Sequence, residues 1–461
     1  MTIAKWENNV VKVRDDRQPV RFRVLDSTAD EMVFELAEEQ TVNWAADKQF
    51  SESDLRSRIE PWLTSLFQSE HLSLLAGSGL TSAVQSVASI KADNGMGAFE
   101  PKTFYHDQIT QKATESAIRM GRDSKPNIED YIRVQNELLR GLEIVGDTEK
   151  YKELKEETDK LILNFTRNIS AIEHSISAAP KEKREDAFNK LVLFLMSFAS
   201  RTGTRDRLNI FTTNYDRLIE AGADVAGLHL IDRFVGSLTP IFRSSRMDID
   251  MHYNPPGIRG EPRYLEGVAR YTKLHGSIDW VNCDGVIRKI GLPFGAKDST
   301  PFLTVAGIDA DASKIMIYPN SSKDKETAEY PYVELFRDFA AALCRPNSTI
   351  VTYGYSFGDD HINRVIRDML TIPSTHLVVI SHSDSSGRIR RIYDGWGRES
   401  QISLMIGPDI TNLEALVDYY LPKPAIDRTT IKMADLLRQR YDTPLKIGEE
   451  KGKEKEGVSK V

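Results

Sequence analysis

Apolar residues fall on alternate positions through the first ~45 residues: Val11 and Val13, then Val20, Phe22 and Val24, then Met32, Phe34 and Leu36. A period of two marks half-buried strands. Asp26-Ser27-Thr28-Ala29-Asp30 reads as a turn between two of them. The segment predicts a small β element or an N-terminal assembly arm. The period then changes. Leu55, Ile59, Trp62, Leu63 and Leu66 follow at helical spacing, and Ser51 with Asp54 resembles a capping box that opens the helix. Leu72-Ser73-Leu74-Leu75 is a short apolar strand running straight into Gly77-Ser78-Gly79, and Ser82 to Lys91 can be helical. Strand, glycine turn and helix make the first piece of a nucleotide-binding α/β unit.

From about Gln108 to Ala199 the pattern is almost all helical. Tyr131, Val134, Leu138, Leu142 and Val145 form one stripe; Leu154, Leu161, Phe165, Ile169 and Ile172 form another. Leu191 to Ala199 is apolar nearly all round, which predicts burial. This stretch reads as a helical insertion, and its ordinary role would be packing or dimerisation. Apolar runs then return at Asn209–Thr212, Tyr271–Leu274, Ile315–Tyr318, Thr349–Thr352 and His376–Ile380. Helical patterns lie between several of them, notably Tyr332 to Cys344 and His361 to Leu370. Central apolar strands alternating with helices predict an α/β fold built on a doubly wound, mostly parallel sheet. The organisation expected is a β-rich arm over residues 1–48, the α/β domain over 49–424 with the insertion at about 108–200, and a C-terminal segment over 425–461, disordered from about 446. The Glu, Lys and Gly run from Gly448 to Gly457 is the reason for the last expectation.

Composition narrows the chemistry. The 461 residues are 40% hydrophobic and 28% charged, as in globular proteins. Lys and Arg number 61 against 68 Asp and Glu, a net charge of −7. That balance argues against nucleic acid as the main ligand, because phosphate backbones need a basic surface. Cys283 and Cys344 are the two cysteines of the chain. They cannot build a four-thiolate zinc site or a disulfide framework. Met1-Thr2-Ile3-Ala4-Lys5-Trp6 lacks the apolar run of a signal peptide, and Leu191–Met196 is far too short to span a bilayer. A cytoplasmic protein away from membranes is expected.

In open parallel sheets, ligands sit beyond the carboxyl ends of the strands. Four sets of residues follow predicted strands directly. Gly77-Ser78-Gly79-Leu80-Thr81 could bring backbone and a helix N-terminus to a phosphate; a tight turn without a ligand reads as well. Thr213-Asn214-Tyr215-Asp216 could project an amide and a carboxylate into the crevice, or Asn214 and Asp216 could be helix caps. Leu274-His275-Gly276 could present an imidazole as a general base, or a structural histidine. Gly354-Tyr355-Ser356 again follows a strand, whereas Asp359, Asp360 and His361 precede a helix, where capping and the dipole explain carboxylates.

In this order, the four sets resemble the motifs of the sirtuin superfamily of NAD-consuming proteins. Gly77-Ser78-Gly79 with Thr81 is similar to the family's Gly-Ala-Gly-x-Ser phosphate loop. Thr213-Asn214-Tyr215-Asp216 is similar to its Gln-Asn-x-Asp element, His275-Gly276 to its catalytic His-Gly, and Gly354-Tyr355-Ser356 to its Gly-x-Ser. The departures are the missing zinc cysteines, the large insertion, and no arginine in Asn94-Gly95-Met96-Gly97-Ala98-Phe99. They look like the bacterial branch that hydrolyses NAD in antiphage defence.

The resemblance implies a Rossmann-like catalytic domain over 49–424 and an NAD glycohydrolase, with NAD as substrate and no metal. Asn214 and His275 would be catalytic. Gly77, Ser78, Gly79, Thr81, Asp216, Gly354 and Ser356 would bind the dinucleotide. It also implies a homo-oligomer, or a partner such as a HerA-type ATPase. Two alternatives stay open: a non-catalytic sensor of NAD or ADP-ribose, and a deacylase or ADP-ribosyltransferase, against which the missing cysteines count.

Overall fold

The computed structural model describes residues 9–423, apart from 28–31, 39, 46, 92–94, 98, 120–124, 201–205, 255–262, 318–329 and 385. The expected C-terminal disorder and the stretch Met1 to Trp6 lie outside the described residues.

The chain opens with β1 (Asn9–Lys12), β2 (Val20–Ser27), β3 (Met32–Leu36) and β4 (Gln49–Ser51). Helix α1 (Glu52–Phe67) follows. Ser51 and Asp54 form its capping box: Ser51 Oγ accepts from the Asp54 amide at 3.2 Å, and Asp54 Oδ2 accepts from the Ser51 amide at 2.9 Å. Then come β5 (His71–Ala76) and α2 (Ser78–Val87), followed by the helical stretch α3 (His106–Arg119), α4 (Ile128–Val145), α5 (Thr148–Ser177) and α6 (Lys181–Ala199). The α/β pattern resumes with β6 (Leu208–Thr212), α7 (Leu218–Ala226) and β7 (His229–Ile231). Short strands β8 (Phe234–Val235), β9 (Ile241–Phe242), β10 (His252–Tyr253) and β11 (Arg263–Tyr264) precede β12 (Val268–Lys273). After it come β13 (Gly276–Cys283), β14 (Val286–Lys289), β15 (Thr304–Val305), β16 (Ile308–Asp309) and β17 (Ile315–Ile317). The last part is α8 (Tyr332–Leu343), β18 (Ser348–Tyr353), α9 (Asp360–Met369), β19 (His376–Ser381), α10 (Arg388–Trp396) and β20 (Ile402–Ile406).

Eleven strands form the main sheet, in the order β4-β3-β2-β1-β20-β19-β18-β5-β6-β12-β7. From β20 to β7 neighbours are parallel. The N-terminal strands add to the same sheet in antiparallel fashion, β1 against β20. Buried Lys12 secures that junction by donating from Nζ to the carbonyls of Glu399 at 2.6 Å and Ile402 at 2.9 Å. The parallel strands alternate sides: Leu74, Val351 and Val378 face the layer that holds α1, α2, α6 and α7, whereas Leu75, Ile350 and Val379 face α8, α9 and α10. This is the doubly wound α/β fold the pattern predicts.

One strand differs from expectation. The apolar run at Ile315–Ile317 is not among the parallel strands. It joins a second sheet, β17-β13-β14-β9-β8, antiparallel to β13. Three apolar residues are too short a run to specify a partner. A third core forms where α3, α4 and α5 pack on this sheet, with Tyr131, Leu161 and Phe165 against Ile278 and Val281. The helical stretch is therefore divided: α6 covers the main sheet through Leu191, Phe194 and Leu195, and α3–α5 stand with the second sheet.

His376 begins β19 with Nε2 2.9 Å from Ser403 Oγ and its ring edge-on to Trp62. Burial, with the Lys12 charge, lowers its pKa from 6.5 to about 4. The unfolded chain therefore binds a proton that the folded chain refuses between those values. This contribution is full above pH 6.5 and is lost as pH falls toward 4, at a cost on the order of 3 kcal/mol. Urea unfolding at pH 7 and pH 4.5 should show a smaller loss of stability in His376→Gln than in the parent chain.

Candidate active site

The order of the parallel strands creates a switch point. From β5 the chain builds outward through β6, β7 and β12, then returns at β18 on the other side of β5 and continues to β19 and β20. Segments following β5 and β18 thus diverge at the carboxyl ends of adjacent strands, where doubly wound sheets bind ligands. A cavity of about 490 Å³ lies there, within the usual range for small-molecule sites.

Eight of the nine residues predicted for the site line this cavity: Gly77, Ser78, Thr81, Asn214, Asp216, His275, Gly354 and Ser356. Gly79 does not. Its place is a backbone contact, since a Cβ built on it would stand 2.5 Å from Gly354 Cα. A Cβ on Gly77 would stand 2.5 Å from the Gly354 carbonyl oxygen. The amides of Gly77 and Gly79 donate to the carbonyls of Tyr353, at 2.9 Å, and Gly354, at 3.1 Å. Gly354 itself has φ +61°, which favours glycine. These glycines let two strand ends meet. Ser78, exposed at the first position of α2, is the member of the loop placed to meet a ligand.

The segment after β6 is latched to the same junction. Asn214 Nδ2 donates to the Gly77 carbonyl at 3.0 Å and to Thr81 Oγ1 at 3.1 Å. Thr81 Oγ1 in turn donates to Asp216 Oδ2 at 2.7 Å. Asn214 is therefore no helix cap. Both its amide hydrogens are committed, so it offers a ligand its acceptor oxygen. Asp216 does receive the Leu218 amide, at 3.1 Å, and so partly caps α7 while it ties down Thr81. Beneath the loop, buried Lys273 donates to the Asp216 carbonyl. Arg217 makes a buried ion pair with Glu173 of α5.

His275 follows β12, and its Nε2 lies 3.0 Å from Asp359 Oδ2. A carboxylate at that nitrogen only accepts, so the neutral ring carries its proton on Nε2 and keeps Nδ1 basic. Asp359 also caps α9, where Oδ1 accepts from the amides of His361 at 2.9 Å and Ile362 at 3.3 Å. The capping read from sequence is real, but it uses one oxygen; the other orients the histidine. Tyr355 fixes this loop by donating to the Asp359 carbonyl at 3.2 Å.

Two further lining residues, Arg388 and Glu129, had no signal in the motifs, and Tyr215 stood in one of them without an assigned role. Arg388, the first residue of α10, lies with its guanidinium 3.5 Å from Ser356 Oγ. It follows β19, a strand end that carried no motif. Tyr215 donates its hydroxyl to Glu129 at 2.9 Å, and burial, then the Glu129 charge, pushes its pKa well above the usual phenol range. Glu129 comes from α4, so the helical insertion supplies part of the cavity wall.

Residues 208–400 match the family model of the SIR2-like domain. The chain carries a sirtuin-like domain. Domains of this kind use NAD, which supports an NAD-related function for the chain. The matched span of the sirtuin-like domain holds Asn214, Asp216, His275, Gly354, Ser356, Asp359 and Arg388. The glycine loop at 77–81 and Glu129 lie outside that span and reach the site through the pairing of β5 with β6 and β18, and through α4. A comparison with curated proteins gives no match. Among the described residues, no helix is long and apolar enough to cross a membrane.

The Gly79–Gly354 contact predicts the effect of one added methyl. Gly79→Ala must push two backbones apart and should cost roughly 1–3 kcal/mol, the scale of overpacking. Urea denaturation would measure it. A variant as stable as the parent would show that the two strand ends yield without cost.

Proposed function

We propose that this protein is an NAD glycohydrolase that cleaves the nicotinamide–ribose bond to give nicotinamide and ADP-ribose. The observation that carries the reading is the His275–Asp359 pair in one cavity with Asn214, Ser356 and Arg388. Water adds to the ribose anomeric carbon, the bond to the ring nitrogen breaks, and nicotinamide leaves as a neutral base with the bonding electrons. The leaving group needs no general acid. Asn214 accepts a hydrogen bond from the water or a ribose hydroxyl and so aligns it. His275 takes the proton of the attacking water, and Asp359 keeps the ring oriented and stabilises the imidazolium that forms. Arg388 and Ser78, at the start of α2, suit the pyrophosphate. The carboxylates of Asp216 and Glu129 favour the positive charge that develops on the ribose.

Two cysteines cannot build the zinc ribbon of a deacylase, which favours hydrolysis by water. The wider part of the proposal rests on resemblance: an effector that depletes NAD in a bacterial antiphage system, acting in the cytoplasm as a homo-oligomer or with a partner such as a HerA-type ATPase.

The purified full chain, given NAD, should release nicotinamide and ADP-ribose, with or without prior chelator treatment. Asn214→Ala and His275→Ala should each lower turnover by at least ~10²-fold, the scale of a positioned acid–base group. Their combination should fall far short of additivity, because both serve one transition state. Asp359→Asn, which can still cap α9, should lower turnover while leaving NAD affinity nearly unchanged. A folded His275→Ala chain that releases nicotinamide at the parent rate would remove His275 from the mechanism.

A further inference from the structure

Glu129 belongs to a helix whose start is held firmly. Asn127 and Asp130 form a reciprocal capping box, with Asn127 Oδ1 accepting from the Asp130 amide at 3.1 Å and Asp130 Oδ2 accepting from the Asn127 amide at 2.9 Å. This sets Glu129 at the second helical position of α4. A carboxylate in a first turn often does no more than complement the helix dipole. Here it is also directed. Tyr215 OH donates to Oε1 at 2.9 Å, and Asn127 Nδ2 lies 3.4 Å from Oε2. Tyr215 stands in the chain between Asn214 and Asp216, and its ring lies 6.3 Å from that of His275. Phe165 packs edge-on against the same ring, so α5 helps to fix it. The insertion thus brings a negative charge to the loop that carries Asn214, whereas the guanidinium of Arg388 stands by the Ser356–Gly358 loop.

We infer that Glu129 pairs with the cationic nicotinamide–ribose end of NAD and makes the cavity prefer oxidised over reduced dinucleotide. The inference rests on the NAD reading above. The two dinucleotides have almost the same shape, but the pyridinium ring of the oxidised form carries a positive charge and the dihydropyridine of the reduced form carries none. A carboxylate a few ångströms from that ring in a half-buried site discriminates between them by about tenfold or more. Shape and phosphate contacts, shared by both forms, cannot. The same charge acts on the ribose as it becomes cationic, so Glu129 contributes to turnover as well as to binding.

Calorimetric titration of the full chain with NAD and with NADH tests this. His275→Ala serves as the background so that NAD is not consumed. The background chain should bind NAD at least about tenfold tighter than NADH. Adding Glu129→Gln should abolish most of that ratio by weakening NAD and leaving NADH unchanged. Tyr215→Phe removes the hydroxyl that holds Glu129 while keeping the ring, and should reduce the ratio by a smaller factor; it serves if the Gln variant does not fold. A ratio unchanged in both variants, or an equal weakening of both dinucleotides, would overturn the role of Glu129 and leave the NAD reading intact. Binding of neither dinucleotide to the background chain would overturn the NAD reading itself, and this inference with it.

Discussion

Backbone meets backbone where Gly79 and Gly354 touch, and the geometry of the cavity follows from that contact. Two parallel strands, β5 and β18, end side by side, and the chain leaves each toward a different helix. The Gly77 and Gly79 amides bond to carbonyls at the end of β18, so the start of α2 cannot shift independently of the loop that leads to Asp359. A side chain at either glycine would occupy the space of the opposing backbone. Conformational freedom is the lesser reason for these glycines. Absence of a Cβ is the greater one.

From this junction the polar groups are placed by a chain of hydrogen bonds. Asn214 reaches Gly77 and Thr81, Thr81 reaches Asp216, and Lys273 grips the Asp216 carbonyl from below. On the far side Asp359 divides its two oxygens between the α9 amides and His275. Each potential catalytic side chain therefore has its orientation set by a neighbour, which is what precise positioning requires. Arg217 extends the linkage to Glu173, so α5 is bound to the same loop by a buried ion pair whose separation would leave a charge without compensation.

The helical insertion has a double role. Helix α6 covers the main sheet, while α3, α4 and α5 share a core with the second, antiparallel sheet. Their joint position brings the first turn of α4 to the cavity, and Tyr215 is the point of contact. An element that would be read as packing alone thus contributes a wall and a charge.

Period-two alternation in β2 and β3, the apolar runs of β5, β18 and β19, the Ser51–Asp54 capping box, and the polar residues after each parallel strand were legible in the sequence, because periodicity, capping and strand-end chemistry are local properties of a few neighbouring residues. They placed Asn214, His275, Ser356 and the glycines correctly along the chain. Their partners were not legible. Asp359 meets His275 across 84 residues, and Glu129 meets Tyr215 across 86. Asp359 showed only its local half, the helix cap. Ile315–Ile317 had the composition of a central strand and went to another sheet, since burial of an apolar run is set by its residues but its neighbour is set by the path of the chain. Gly79 was read as making room for a ligand, and it makes room for Gly354. What the sequence determined by itself was which segments become strands and which groups stand at their ends; the strand order, which only the tertiary structure decides, determined which of those groups come within hydrogen-bonding reach of one another.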